Sequence, residues 1–366
     1  MKEQGLAASI QAIGLMSGTS LDGVDAALLT TDGVAVQAAG ARLTLEYDEA
    51  LRRRIRAVFG ARVRSPALDE VERDLTLIHA DAVRRLLAEA GLAPGAVAAI
   101  GFHGQTISHA PAEGFTWQIG DGALLARRTG IDVICDFRTA DVAAGGEGAP
   151  LVPVFHRALA GPLEKPLAVL NIGGVANVTW IGVDGELLAF DTGPGNALID
   201  DWMLARTGQG VDFEGKMAAS GNIDEVVLAG LLAHPYFARK PPKSLDRNEF
   251  SVRALAGSST ADGAATLTAF TAAAVSRGTE FFARPVRRWL VTGGGRRNPV
   301  LMAALAARLD APVEPVEAVG WDGDALEAQA FAFLAARSIA GLPLSFPTTT
   351  GTRVPMPAGR RFAAHG

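Results

Sequence analysis

The sequence predicts an α/β protein of two similarly built lobes, each a mixed sheet with helices packed against it. Three observations lead there. Each half opens with three short apolar runs joined by tight turns, and helical and strand-like patterns alternate after each trio. The trios lie much further apart than the units of a solenoid, so two related lobes explain them better than an array does. A chain of 366 residues also exceeds what one hydrophobic core usually fills. The expected division is 1–140 for the first lobe, completed by a C-terminal helix near 325–340, and 141–324 for the second, with a cleft where they meet.

In the first half, the apolar run Ile10 to Met16 leads into the small-residue turn Ser17-Gly18-Thr19-Ser20. Asp22-Gly23 then opens a second run, Val24 to Leu29, and a third alternates through Val34, Val36, Leu43 and Leu45. Two helical stripes follow, Asp48 to Phe59 on Leu51, Ile55 and Phe59, and Leu68 to Ala90 on Val71, Leu75, Ile78, Ala82 and Leu86. Ala96 to Phe102 reads as a strand ending in His103-Gly104-Gln105-Thr106, Gly122 to Arg128 as a short helix, and Ile131 to Phe137 as a strand.

The second half repeats the opening with Leu167 to Ile172, the turn Gly173-Gly174, Asn177 to Ile181 and Glu186 to Phe190. Helical patterns cover Asn196 to Arg206, Ile223 to Ala233, Ala264 to Phe282, Pro299 to Leu309 and Ala325 to Ile339, with a strand at Arg288 to Thr292. Pro235 to Phe250, rich in Pro and Lys, reads as a connecting loop.

Composition narrows the function. Hydrophobic residues at 49% and charged residues at 20% describe a globular chain rather than a disordered one. A net charge of −5 lacks the basic excess that coating a duplex requires, so nucleic acid is not an expected partner. The clustered arginines, the pairs Arg84/Arg85 and Arg296/Arg297 among them, sit mostly on helical patterns and read as solvated faces rather than a binding patch. The single cysteine, Cys135, sits in an apolar run and reads as a small core residue of a reducing compartment. Gln4, Gly5 and Gln11 interrupt any hydrophobic stretch after Lys2, so neither a signal peptide nor a membrane span is expected and the protein is read as cytoplasmic.

Chemistry concentrates in the turns. No Gly-x-x-x-x-Gly-Lys-Ser/Thr occurs, which excludes a P-loop. Gly18 to Gly23 can still wrap an anion with backbone N–H groups and two hydroxyls, with Asp22 placed to hold Mg²⁺ through water. Alone, that turn would be an ordinary Asp-Gly hairpin. Gly173-Gly174 recurs at the equivalent place, and Gly293-Gly294-Gly295 follows a strand and precedes a helix that Asn298-Pro299 would open as N-cap and first-turn proline. Three glycine turns at strand ends point to a nucleotide cleft. Asp191, in Phe190-Asp191-Thr192-Gly193-Pro194-Gly195-Asn196, is either a helix cap or a fixed carboxylate serving as general base; the Gly and Pro behind it favour the base. His103, Gln105, Asp136, Arg138 and Asp141 are further polar residues at strand ends, and no zinc spacing occurs among the histidines.

These motifs, in this order, resemble the anhydro-N-acetylmuramic acid kinases of the actin/hexokinase/Hsp70-like ATPase superfamily. The likeness spans Ile13 to about Arg353. It is carried by Gly14-Leu15-Met16-Ser17-Gly18-Thr19-Ser20-Leu21-Asp22-Gly23-Val24-Asp25, Gly101-Phe102-His103-Gly104-Gln105-Thr106, Asp136-Phe137-Arg138, Gly148-Ala149-Pro150, Asn171-Ile172-Gly173-Gly174, the Asp191 segment and Thr292-Gly293-Gly294-Gly295. The resemblance implies two RNase H-like lobes around a central cleft. It also implies an ATP- and Mg²⁺-dependent enzyme that opens the 1,6-anhydro ring with water and phosphorylates O6, giving N-acetylmuramic acid 6-phosphate and ADP in cell-wall recycling. Asp191 matches the catalytic carboxylate. ATP is expected at Gly18, Thr19, Ser20, Leu21, Asp22, Gly23, Val24, Asp25, Gly173, Gly174, Asn177, Gly293, Gly294, Gly295 and Asn298. The sugar is expected at Gln105, Asp136, Arg138, Gly195 and Asn196, with Arg138 the partner for the lactyl carboxylate. The resemblance also implies a homodimer. The alternatives are another sugar or carboxylate kinase of the superfamily, a non-catalytic ATP-driven clamp, and an ATP-independent glycoside hydrolase.

Overall fold

The computed structural model describes residues 8–246 and 249–364. The amino-terminal reading on Lys2, Gln4 and Gly5 falls outside them. The chain divides into two compact units, one running to Gly161 and resuming at Ala325, the other Pro162–Asp324.

The first unit begins with an antiparallel meander of β1 (Ile10–Ser17), β2 (Gly23–Thr31) and β3 (Val36–Glu46). Helices α1 (Glu49–Ala57) and α2 (Pro66–Ala90) follow. Local chemistry sets the ends of α2: the Ser65 side chain accepts from Leu68 N, Pro66 occupies the first turn, and Gly91 closes the helix at φ 65°. Next, β4 (Ala99–Ala110) runs parallel to β1, β5 (Phe115–Ile119) folds back on β4, and after α3 (Gly122–Thr129) comes β6 (Val133–Cys135), parallel to β4. Helices α4 (Thr139–Ala143) and α5 (Pro153–Leu159) complete this stretch.

The second unit repeats the plan. Strands β7 (Leu167–Ile172), β8 (Val175–Ile181) and β9 (Leu187–Pro194) form a meander. After α6 (Ala197–Thr207), α7 (Lys216–Ala219), α8 (Glu225–Leu232) and α9 (Thr260–Gly278) comes β10 (Trp289–Thr292), parallel to β7. Then α10 (Pro299–Ala306) crosses to β11 (Val313–Pro315), parallel to β10. The chain returns to the first unit as α11 (Leu326–Ile339) and β12 (Arg360–Phe362).

The recurring trio is therefore a recurring topology. The sheets read β3-β2-β1-β4-β6 and β9-β8-β7-β10-β11, an identical order, with β12 added at the β6 edge of the first. Helix α11 lies against β1 and β4 where two strand residues lack side chains. A Cβ on Gly14 would fall 1.7 Å from Ala328 O, and one on Gly101 would fall 2.0 Å from Phe331 O. Cys135 is buried, and burial pushes its thiol up to about 12, in keeping with a core residue. Among the described residues no helix is long and apolar enough to cross a membrane.

Four expectations are revised. Residues 141–161 pack in the first unit rather than the second, because the fully buried Asp141 accepts from Gly148 N and from Thr350 Oγ1, both at 2.7 Å. Strand β4 does not end at Phe102: it continues through His103-Gly104-Gln105-Thr106 into an unforeseen hairpin, kinked at Gly104 (φ 72°), where a Cβ would meet Ile119 O at 2.5 Å. Arg296 is not on a solvated face, since its side chain is 7% exposed and bonds Glu317, Asp324 and Gly293 O. The described part of Pro235 to Phe250 is more than a connector, for reasons given below.

Candidate active site

In the first unit, the turn between β1 and β2 is closed by Leu21 N donating to Gly18 O at 3.1 Å. Leu21 adopts φ 62°, unusual for a branched residue, and buries its side chain to 1% exposure. That anchor leaves Thr19, Ser20 and Asp22 facing solvent. Gly23 and Val24 are buried, and the carboxylate of Asp25 accepts from Thr44 Oγ1 at 2.6 Å.

Gln105 is fully buried, and its amide is engaged within the protein. Oε1 accepts from Ser17 Oγ at 2.6 Å and Nε2 donates to Gly18 O at 3.3 Å. Tyr47 adds a phenol donating to Ser17 Oγ at 2.8 Å and a backbone N–H donating to Asp22 O at 3.1 Å. Gln105, Ser17 and Tyr47 thus clamp the anion-wrapping turn at both ends. Gln105 was expected on the sugar; Ser17 lies in the turn motif without having been given a role, Tyr47 lies in no motif, and only their contacts reveal the part they play.

Asp136 follows β6 in the left-handed region at φ 59° with its carboxylate exposed, a strained backbone of the kind that functional sites retain. It lines a pocket of about 450 Å³ together with Arg64, Glu72, Gln118, Asp121 and Arg360. Arg138 is absent from that lining. Its Nη1 donates to Gly148 O at 2.8 Å, and its Nε and Nη2 lie 3.2 and 3.0 Å from His103 Nε2. His103 Nδ1 is 2.8 Å from Gly104 O and so must carry the proton, leaving Nε2 to accept. Burial and the neighbouring guanidinium hold His103 well below 6.5, hence neutral. Burial also lowers Arg138, to about 10, against the attraction of Glu327 and Asp141.

In the second unit, glycines let three turns meet. Asn196 N donates to Gly173 O at 2.8 Å, Gly195 N to Gly174 O at 2.9 Å, and Asn196 Nδ2 to Ile172 O at 3.2 Å. A Cβ on Gly195 would stand 2.3 Å from Gly173 O; one on Gly293, at φ 75°, would stand 2.4 Å from Asn171 Oδ1; and one on Gly295 would reach Ile172 Cγ2 at 2.5 Å. Gly294 completes the bend beside Asn196, where a Cβ would stand 3.7 Å from Nδ2. Asn298 caps α10 by accepting from Val300 N and Leu301 N, so its side chain serves the helix.

Asp191 is not a helix cap. It lies within β9, while the residue before α6 is Asn196, whose side chain makes no capping bond. Asp191 faces Asn177 across β8, and Asn177 faces Asn171 across β7, so the three polar residues form one row beside the glycine turns. Asp191 is held on three sides by one segment: its N–H donates to Lys243 O at 3.0 Å, its O accepts from the Tyr236 hydroxyl, and its Oδ2 accepts from Leu245 N at 2.8 Å. The supposed connector thus closes the open edge of the sheet and fixes the carboxylate. Proline and lysine content made it look like plain loop, and no local signal tied it to Asp191. Among the described residues, no group of three or more His, Cys, Asp or Glu side chains could hold a metal ion.

Comparison with known proteins adds a family. A profile described as Anhydro-N-acetylmuramic acid kinase matches residues 10–364. The chain is similar to proteins of that name from Paramagnetospirillum magneticum, 61% identical over 352 residues with 95% of this chain and 98% of that protein covered. It is also similar to one from Rhodospirillum rubrum, 57% identical over 359 residues with 97% and 95% covered. Among solved structures, a ROK family glucokinase from Streptomyces griseus in complex with glucose and AMPPNP is 14% identical, with a TM-score of 0.41 and 88% of this chain and 98% of that one covered.

Proposed function

The chain belongs to the anhydro-N-acetylmuramic acid kinase family, and on that footing we propose that Asp191 is the general base that activates water for opening of the anhydro ring. The protein is an ATP-dependent sugar kinase that converts 1,6-anhydro-N-acetylmuramic acid, water and ATP into N-acetylmuramic acid 6-phosphate and ADP, a step of cell-wall recycling. The observation that carries the residue assignment is the triple anchoring of Asp191 in the row with Asn177 and Asn171.

The chemistry explains why one fixed carboxylate suits the task. Water attacks C1, its proton passes to Asp191, and the C1–O6 bond breaks. Expelled alone, O6 would leave as a poor alkoxide. Attack of that oxygen on the γ-phosphate, with ADP leaving, disposes of the charge as it develops, so placement of the groups supplies most of the catalysis.

The remaining roles rest on the same reading. In the first unit, the backbone and hydroxyls of Gly18, Thr19 and Ser20 receive phosphate oxygens. The exposed carboxylate of Asp22 suits Mg²⁺ held through water, since that ion keeps much of its hydration and uses few protein carboxylates. When bound, the ion supplies charge neutralisation to the phosphates. In the second unit, Gly173, Gly174 and Gly293 to Gly295 let a nucleotide approach backbone closely; the shape of that bend is fixed by packing, since side chains at Gly293 and Gly295 would collide with Asn171 and Ile172. Asp136, Arg138, Gly195 and Asn196 are assigned to the sugar, with Arg138 taking the lactyl carboxylate. A cytoplasmic homodimer belongs to the same proposal.

Asp191→Asn tests the assignment. The variant should fold and bind ATP while kcat falls by at least about 100-fold, the usual scale of a lost general base. With oxygen-18 water, the wild type should place label at C1 of the phosphorylated sugar. Full turnover by the variant would remove Asp191 from the role.

A further inference from the structure

We propose that Tyr236 to Leu245 is a positioning strap for Asp191 and that the Lys243 ammonium is the lock that seats it. This rests on Asp191 as the base and deepens that reading. Among the described residues, the edge strand β9 has no further strand beyond it in the sheet. At Asp191 the strap takes that place, supplying Lys243 O as acceptor, Leu245 N as donor to the carboxylate, and the Tyr236 hydroxyl as donor to the backbone. Three contacts from one short segment converge on one residue.

Lys243 ties the strap to itself and to the core. The residue is 3% exposed, with Nζ donating to Tyr236 O at 3.3 Å. The ammonium stands 4.5 Å from the Tyr236 ring centre, 4.9 Å from that of Phe281 and 5.7 Å from that of Phe190, the residue preceding Asp191. A cation among three aromatic faces is a specific arrangement, and it joins both ends of the strap to β9. Burial pulls the ammonium down to about 8, as do Arg239 and Arg277, while Asp191 and Glu280 favour its charge. Lysine is costly in such a place, and an apolar residue would serve packing alone more cheaply.

A double-mutant cycle separates positioning from plain structural support. Lys243→Met keeps the stem and removes the charge. If the strap acts through Asp191, kcat falls roughly 10- to 100-fold, the scale set by small misplacement of a reacting group, and KM for ATP changes less than about twofold. In the Asp191→Asn background, the same substitution should leave the residual rate unchanged. Tyr236→Phe removes only the hydroxyl and should show the same pattern; it carries the test alone if the lysine variant does not fold. Equal fold-losses in both backgrounds, or wild-type kcat in a folded single variant, would overturn the strap. Full turnover by Asp191→Asn alone would instead overturn the base assignment, so the two failures are distinguishable.

Discussion

At the scale of single residues, the left-handed positions are the most revealing. Leu21 and Asp136 keep positive φ despite their side chains, and both sit at turns assigned to ligands. Gly293 combines positive φ with contact on Asn171 and Ile172, so Gly293→Ala meets two obstacles. The backbone alone costs about 1–2 kcal/mol, and the methyl would displace Asn171 from its row. We expect a lower Tm together with a raised KM for ATP; an unchanged KM in a folded variant would show that this bend does not approach the nucleotide. Arg138→Ala tests the sugar side. Loss of the guanidinium should raise KM for the anhydro sugar at least about tenfold, on the scale of a charge-assisted pair, and unchanged affinity would dismiss the carboxylate contact. The turns themselves were legible beforehand, because glycine, asparagine and aspartate announce them. Gln105 was not, since nothing local distinguishes an amide that meets a ligand from one that accepts a hydroxyl 88 positions away.

Among elements, helix ends and strand trios follow from local rules, while contact surfaces do not. Asn298-Pro299 opens α10 as anticipated, and Asn298→Ala should cost about 1 kcal/mol, read by denaturant midpoint. Helix α11 depends on two glycines that lie far from it in sequence. Gly101→Val would drive a side chain into the α11 backbone at Phe331, and overpacking of that kind costs about 1–3 kcal/mol. We expect a clear fall in Tm; a midpoint within one degree of wild type, about what 0.3 kcal/mol would produce, would contradict the close approach. The hairpin of β4 and β5 escaped sequence reading because its strands are polar on one face and carry a bend at Gly104. Polarity that marks a loop elsewhere here marks a strand.

For the molecule as a whole, buried neutral histidines make stability depend on pH on the acid side. Burial holds His79 at about 4, with Nδ1 2.8 Å from Leu75 O and the ring against Phe102, and holds His156 at about 3. An unfolded histidine titrates near 6.5. Above that pH neither state binds the proton and the stability is fully present. As pH falls from about 6.5 through 4, the unfolded chain takes up protons that the folded one refuses, so stability declines. Tm should therefore drop across that window, and His79→Gln should flatten part of the drop; a Tm independent of pH between 6.5 and 4 would contradict neutral burial.

The order of apolar runs and turns along the chain was enough to determine a duplicated α/β plan and to put Asp191 in the third strand of its second half, because backbone preference and hydrophobic period are encoded locally; the family followed from the resemblance of its motifs. Which groups hold that carboxylate was decided only by tertiary structure. Tyr236 and Leu245 lie about fifty positions downstream in a stretch without regular period, and hydrogen bonds between distant polar groups leave no pattern in the residues between them.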